Sequence, residues 1–177
     1  KKVNISGFSD FKVKMAQEIN SFSLSNYRIE LDYPVSKDIV DSEIPKQLLN
    51  LHYQALTDTY NDLDKEKLTF VAKMIDEADT VILVGSGESL IIGNDFRYKL
   101  LRIGKQTICE FMEGFQLTHA YRINNKKALA IVISQYGRSK SVLKTIRTLS
   151  AQGVQSVLVT TEVSNPMIPY SDRKSVV

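Results

Sequence analysis

From Thr80 onward, unbroken apolar runs alternate with apolar stripes at helical spacing. Thr80–Val84 and Ala128–Ile133 are short continuous runs, the pattern of strands covered on both faces. Thr107–Phe111 and Val154–Thr160 have the same character. Ile92, Phe96, Leu100 and Ile103 mark a helix that Gly104 ends, Glu113–Arg122 reads as another, and Val142, Leu143, Ile146 and Leu149 mark a third that Gly153 ends. Strands alternating with helices imply right-handed crossovers and a mainly parallel sheet with helices on both faces. The expected fold is therefore α/β, a three-layer αβα sandwich.

Upstream, the pattern is helical. Ile44, Leu48, Leu51 and Ala55 share one face, with Pro45 tolerated in the first turn. Asp64 is placed to cap a second helix, Leu63 to staple onto Leu68, and Leu68, Val71 and Ile75 carry the stripe to Ala78. Phe11, Met15 and Ile19 predict a short helix after Ser9 or Asp10. The serine-rich stretch Ser21–Ser25 interrupts it, and Tyr33-Pro34 imposes extended geometry, so this region reads as a linker.

The 177 residues suit one domain plus an accessory segment. No apolar run approaches the roughly 18 residues of a membrane-spanning helix, and Lys1-Lys2 is followed by polar Asn4, Ser6 and Ser9 rather than a secretory core. The single cysteine, Cys109, permits no internal disulfide and no cysteine zinc site, and its apolar neighbours suit a small buried hydrophobe. These features point to the cytoplasm, with no membrane partner, cofactor or metal expected. A net charge of +3 is too small to argue for nucleic acid, although Lys1, Lys2, Lys12 and Lys14 make the N-terminus locally basic.

In a parallel sheet, ligands bind at the carboxyl ends of strands near a reversal of strand order. Two polar loops occupy such ends. Gly85, Ser86, Gly87, Glu88 and Ser89 follow the first strand directly. Glycine allows close backbone approach, and the following helix presents free N–H groups and its positive dipole end. The lysine and length of a nucleotide P-loop are absent, as is the third glycine of a dinucleotide fingerprint. A tight turn with a serine N-cap accounts for this loop equally well. Ser134, Gln135, Tyr136, Gly137, Arg138 and Ser139 repeat the arrangement after Ala128–Ile133. Two such loops on parallel strands could meet one anion from two sides.

These residues carry a resemblance. Val84–Ser89 resembles the first loop of the sugar isomerase, or SIS, fold, and Ile133–Ser139 resembles its second, usually Ser-x-Ser-Gly-x-Thr. Lys99–Gly104 and Ser164-Asn165-Pro166 are further matches. Ala55–Thr59 with Leu63-Asp64 resembles the helical lead-in of RpiR-type bacterial transcription regulators, and Ser6–Phe11 followed by Lys12 is similar to the end of their helix-turn-helix domain. The resemblance implies a regulator in which residues 1–20 are the remnant of a helix-turn-helix domain, 21–43 a linker and 44–177 an SIS domain with its lead-in. It implies a phosphosugar effector, operator DNA bound by a homodimer or homotetramer, most of the DNA-binding domain before Lys1, and part of the final sheet and helix beyond Asp172.

By the same resemblance, Ser134, Gln135 and Ser139 contact phosphate, Gly137 permits the turn, and Ser86 and Ser89 line the other side. Ser139 stands for the usual threonine and keeps the hydroxyl. Tyr136 departs more, since it replaces a serine whose hydroxyl lies close to phosphate; a phenol there either plugs the pocket or stacks on a sugar face. Arg138 replaces a common acidic residue and is either a solvated side chain or a charge-assisted phosphate contact.

An aldose–ketose isomerase would need a base near the first two sugar carbons and a proton donor for ring opening. Glu88, Glu113, His119 and His52 are the candidates, but His52 reads as surface or packing, His119 as solvated, and Glu88 as a carboxylate favoured by the helix dipole. No convergent acid–base pair is legible, so the sequence points to a sensor rather than an enzyme. An SIS domain kept only for dimerisation is the alternative that Tyr136 raises.

Overall fold

A computed structural model describes residues 43–123 and 127–176, with the side chains of Glu113 and residues 173–176 not described. The segment 1–20, its expected helix, and the linker apart from Glu43 lie outside these residues. The chain divides into two compact units, residues 1–58 and 59–177. Helix α1 (Ile44–Asp62) starts in the first unit, where Ile44, Leu48 and Leu51 are partly buried and Ala55 is exposed.

The second unit holds the sandwich. Its elements run α2 (Lys65–Glu77), β1 (Thr80–Val84), α3 (Glu88–Arg102), β2 (Gln106–Cys109), α4 (Glu113–Arg122), β3 (Ala128–Ile133), α5 (Lys140–Ala151), β4 (Gln155–Thr160), a 3-10 turn (Ile168–Tyr170) and β5 (Arg173–Val176). All neighbouring strands are parallel, in the order β2-β1-β3-β4-β5. The chain moves from β1 to one side for β2 and returns to the other side for β3. The carboxyl ends of β1 and β3 are therefore the switch point of the sheet.

Alternation along the strands builds two cores. Ile82, Val84, Ala130, Val132 and Leu158 face α4 and α5, with Ala120, Val142, Ile146 and Leu149 packed against them. Val81, Leu83, Leu129, Ile131 and Val157 face the other way, onto Met74 of α2 and Leu100 of α3. Registered pairs such as Leu83↔Ile131 and Ile131↔Val157 keep each set in line across the sheet. Every residue of β1 is buried, as expected of a strand covered on both faces.

Several local expectations shift. Asp64 does cap α2, accepting from the N–H groups of Glu66 and Lys67; Val71, Ile75 and Ala78 pack into the core as the stripe predicts, but Leu68 is exposed and Met74, outside the stripe, is the buried residue of the helix. On α3 the expected Leu100 is buried and Phe96 packs against the core, but Ile92 and Ile103 are exposed, and Leu90 and Gly93 complete the buried face. A Cβ on Gly93 would lie 3.9 Å from Ile133 Cδ1 and Leu83 Cβ, an ordinary contact distance, so this point of the helix lies directly over β1 and β3. β2 ends at Cys109 rather than Phe111. β4 starts at Gln155, because the Val154 N–H donates to Leu149 O and still closes the end of α5. The sheet also continues past Asp172 within this chain. Asp172 accepts the Ser156 N–H on its carboxylate (2.7 Å) and donates its own N–H to Ser156 O, which sets β5 beside β4.

Candidate functional site

The first loop leaves β1 at Gly85, which is buried and closely packed: a Cβ there would meet Leu90 N and the Ser89 carbonyl carbon at 3.1 Å. Its peptide is held by the buried Gln116 of α4. The Gln116 carboxamide donates to Gly85 O (3.0 Å) and Glu110 O (2.8 Å), and its oxygen accepts the Gly85 N–H (3.4 Å). Helix α3 then starts from Gly87, at φ +56°, with no side-chain cap. The helix is therefore capped by a glycine and not by a serine, and Glu88 in its first turn faces the positive end of its dipole.

The second loop is fixed from below by β4 and the segment after it. The Ser134 N–H donates to Val159 O. Buried Asn165 donates from Nδ2 to Ser134 O (3.0 Å) and Thr160 Oγ1 (2.9 Å), and its Oδ1 accepts the Met167 N–H. The hydroxyls of Thr160 and Thr161 donate to Gln135 O. Gly137 sits at φ +68° directly over this support, where a Cβ would fall 2.6 Å from Pro166 Cδ. Ser139 caps α5, its hydroxyl accepting the Val142 N–H at 3.4 Å and lying 3.1 Å from Ser141 Oγ.

The two loops line one cleft of about 260 Å³ at the switch point. Ser86, Glu88 and Ser89 form one wall; Ser134, Gln135, Tyr136, Arg138 and Ser139 form the other, with Ile133 and Val142 beneath. Of the sequence-predicted residues, only the glycines Gly85, Gly87 and Gly137 do not line it, and they shape the turns. Ser134 is 93% buried (7% exposed), and its hydroxyl makes no hydrogen bond among the described residues. Tyr136 stands at the rim, 44% exposed, with the Arg138 guanidinium 5.0 Å from its ring centre.

The charges are divided between the walls. Glu88 is the carboxylate and Arg138 the cation among the lining residues. Nearby Glu162 is held below the usual carboxylate range chiefly by the Ser164 hydroxyl and N–H, with Arg138 adding to the effect. The other candidate acid–base residues are elsewhere. His119 Nε2 lies 3.1 Å from Glu110 Oε1, and neither lines the cleft. His52 belongs to the first unit, and the side chain of Glu113 is not described. Burial raises the Cys109 thiol, consistent with a packing role. A larger groove of about 370 Å³, lined by Tyr121, Lys144 and Arg147, lies along the C-terminal halves of α4 and α5, away from the strand ends where both loops converge. Among the described residues, no group of acidic, histidine or cysteine side chains could hold a metal ion, and no helix is long and apolar enough to cross a membrane.

Gln116 has no counterpart in the sequence reading; a lone glutamine in a helix gives no signal of a partner 31 residues away. Asn165 lay within a matched motif, but its role beneath the second loop emerges only from the fold.

Comparison with known proteins agrees with this architecture. A family model described as SIS domain matches residues 74–175. An HTH-type transcriptional regulator of Clostridium perfringens is 28% identical over 175 residues, covering 97% of this chain and 60% of the relative. One from Haemophilus influenzae is 27% identical over 171 residues, covering 96% and 58%. The chain thus spans about three fifths of the length of these curated relatives. Among solved structures, the sugar isomerase domain of an RpiR transcription factor from Sphaerobacter thermophilus superposes with TM-score 0.70 at 22% identity, covering 76% of this chain and 75% of that one. The Vibrio vulnificus NanR protein complexed with ManNAc-6P superposes with TM-score 0.69 at 22% identity, covering 98% and 58%. These structural likenesses show a shared fold.

Proposed function

The chain belongs to the SIS-domain family, and from that premise we propose that it is the effector-binding part of a bacterial transcriptional regulator of sugar metabolism, RpiR-like in organisation. A phosphosugar binds between Gly85–Ser89 and Ser134–Ser139 and changes the DNA affinity of a cytoplasmic homodimer or homotetramer. The observation that carries this reading is Ser134, a buried serine that lines a cleft at the switch point of the sheet. The N-terminus of α5 beside it supplies N–H donors and a positive dipole end suited to a phosphate. The naming of the curated relatives as HTH-type regulators supports a DNA-binding partner domain, and the NanR complex supports the ligand class.

Regulation requires that the effector bind the two states of the dimer with different affinity. A thermal-shift panel of sugar phosphates on this chain tests the first step. At least one raises the melting temperature, and Ser134→Ala reduces that shift by removing the buried donor. A panel without any shift, backed by calorimetry without heat, refutes effector binding and leaves a domain kept for dimerisation, the reading that Tyr136 favours. Turnover of a phosphosugar, lost on Glu88→Gln, would instead make it an isomerase.

A further inference from the structure

We infer that the cleft is polarised and selects phosphomonoesters that carry no second anionic group. The inference rests on the phosphosugar reading and specifies which sugar phosphates qualify.

Two helix N-termini converge on the cleft, and they differ in charge. Helix α3 has Glu88 as its first residue, so its positive end already faces a carboxylate of its own. Helix α5 has no acidic residue in its first turn, and Arg138 immediately precedes its cap. Ser139 takes the Val142 N–H, and the first turn of α5 presents the positive end of its dipole to the same wall. The unpartnered Ser134 hydroxyl lies on this same wall, and so does Ser139. A phosphate therefore settles at α5, between Ser134, Ser139 and Arg138. The rest of the ligand then extends toward the first loop.

There it meets Glu88. A carboxylate accepts hydrogen bonds from sugar hydroxyls and repels a second phosphate or a carboxylate. The cleft volume, about 260 Å³, lies below the ~300–1,000 Å³ common for small-molecule pockets. It suits a monosaccharide phosphate and is small for a nucleotide. Glu162, bonded to Ser164 outside the cleft wall, offsets part of the Arg138 charge, so the polarity rests on Glu88 at one helix start and on the uncompensated positive dipole end of α5 at the other.

Isothermal titration on the whole chain tests this with four ligands: glucose 6-phosphate against 6-phosphogluconate, and fructose 6-phosphate against fructose 1,6-bisphosphate. In the wild type, each sugar whose phosphate is its single anionic group binds at least ~10-fold more tightly than its counterpart with a second anionic group, since like-charge contact is costly at a binding surface. In Glu88→Gln the gap closes because the doubly anionic ligand gains affinity, while melting in the absence of ligand confirms an intact fold. Equal affinities in the wild type, or an unchanged gap in Glu88→Gln, overturn the polarised cleft and leave phosphosugar binding standing. Binding by none of the four, with no heat from inorganic phosphate, overturns both.

Discussion

Two glycines in the candidate site have positive φ for different consequences. Gly87 (φ +56°) has open space where a Cβ would be, whereas Gly137 (φ +68°) faces Asn165 and Pro166 at a distance no Cβ tolerates. Alanine at either position bears the left-handed backbone penalty, about 1–3 kcal/mol. Alanine at 137 must also push away the turn that holds Ser134 O and Gln135 O, the support of the second loop. Gly137→Ala therefore destabilises the protein more than Gly87→Ala, and also weakens the thermal shift from a bound sugar phosphate. Denaturant unfolding of the two variants measures the difference; equal losses would show that the Asn165-Pro166 turn yields freely. Gly137 was legible from the sequence as a turn former, but its neighbours were not. Asn165 is 28 positions downstream, and the matched motif it belongs to does not name the loop it supports. Gln116 is the same case on the first loop: its three bonds hold Gly85 and Glu110, and a lone glutamine carries no pattern that names them.

Helix caps and strand runs are local signals, and most elements were legible for that reason. Asp64, Gly104 and Gly153 act where their residue types predict, the glycines at φ +80° and +72°. Faces were read less well, because periodicity scored only apolar residues. On α3 the contact surface includes Gly93, which apolar periodicity does not register, so Phe96 and Leu100 are legible while Leu90 and Gly93 are not, and the exposed Ile92 and Ile103 take their place. β5 was missed because Arg173-Lys174-Ser175-Val176 has no apolar alternation and gains its extended form from pairing with β4. Asp64 gives an element-scale test. The N–H of Lys67 and its ammonium, 2.9 Å away, hold the carboxyl below its ordinary value. A depressed carboxyl stabilises the fold above its unfolded pKa, near 3.8, and that contribution is lost as pH falls through the lower folded value. Asp64→Ala accordingly lowers the melting temperature near neutral pH, and the gap to wild type narrows as the solution is acidified below that range. A gap independent of pH would show that the cap acts without its charge.

At the scale of the whole molecule, the strand order explains why two loops 49 residues apart, from Gly85 to Ser134, share a cleft. β1 and β3 are neighbours, while their following helices pack on opposite faces of the sheet, α3 against one core and α5 against the other. A ligand bound at the switch point therefore bridges both helical layers. This is a physical route by which a small effector could alter the relation between the layers, provided its affinity differs between two arrangements. Ligand present at a hundred times its dissociation constant stabilises the native state by about 2.7 kcal/mol, enough to slow amide exchange wherever local opening breaks its contacts. Hydrogen exchange then distinguishes a bridging ligand from one held by a single loop. With a sugar phosphate that gives a thermal shift, amides at the starts of α3 (Glu88–Ile91) and α5 (Lys140–Leu143) become protected together, with the same concentration dependence. The central strands β1 and β3 change little, because they are already paired on both sides. Protection confined to the start of α5 would mean that the phosphate is bound but the sugar never reaches Glu88, and the coupling of the two layers through the ligand would fail with it.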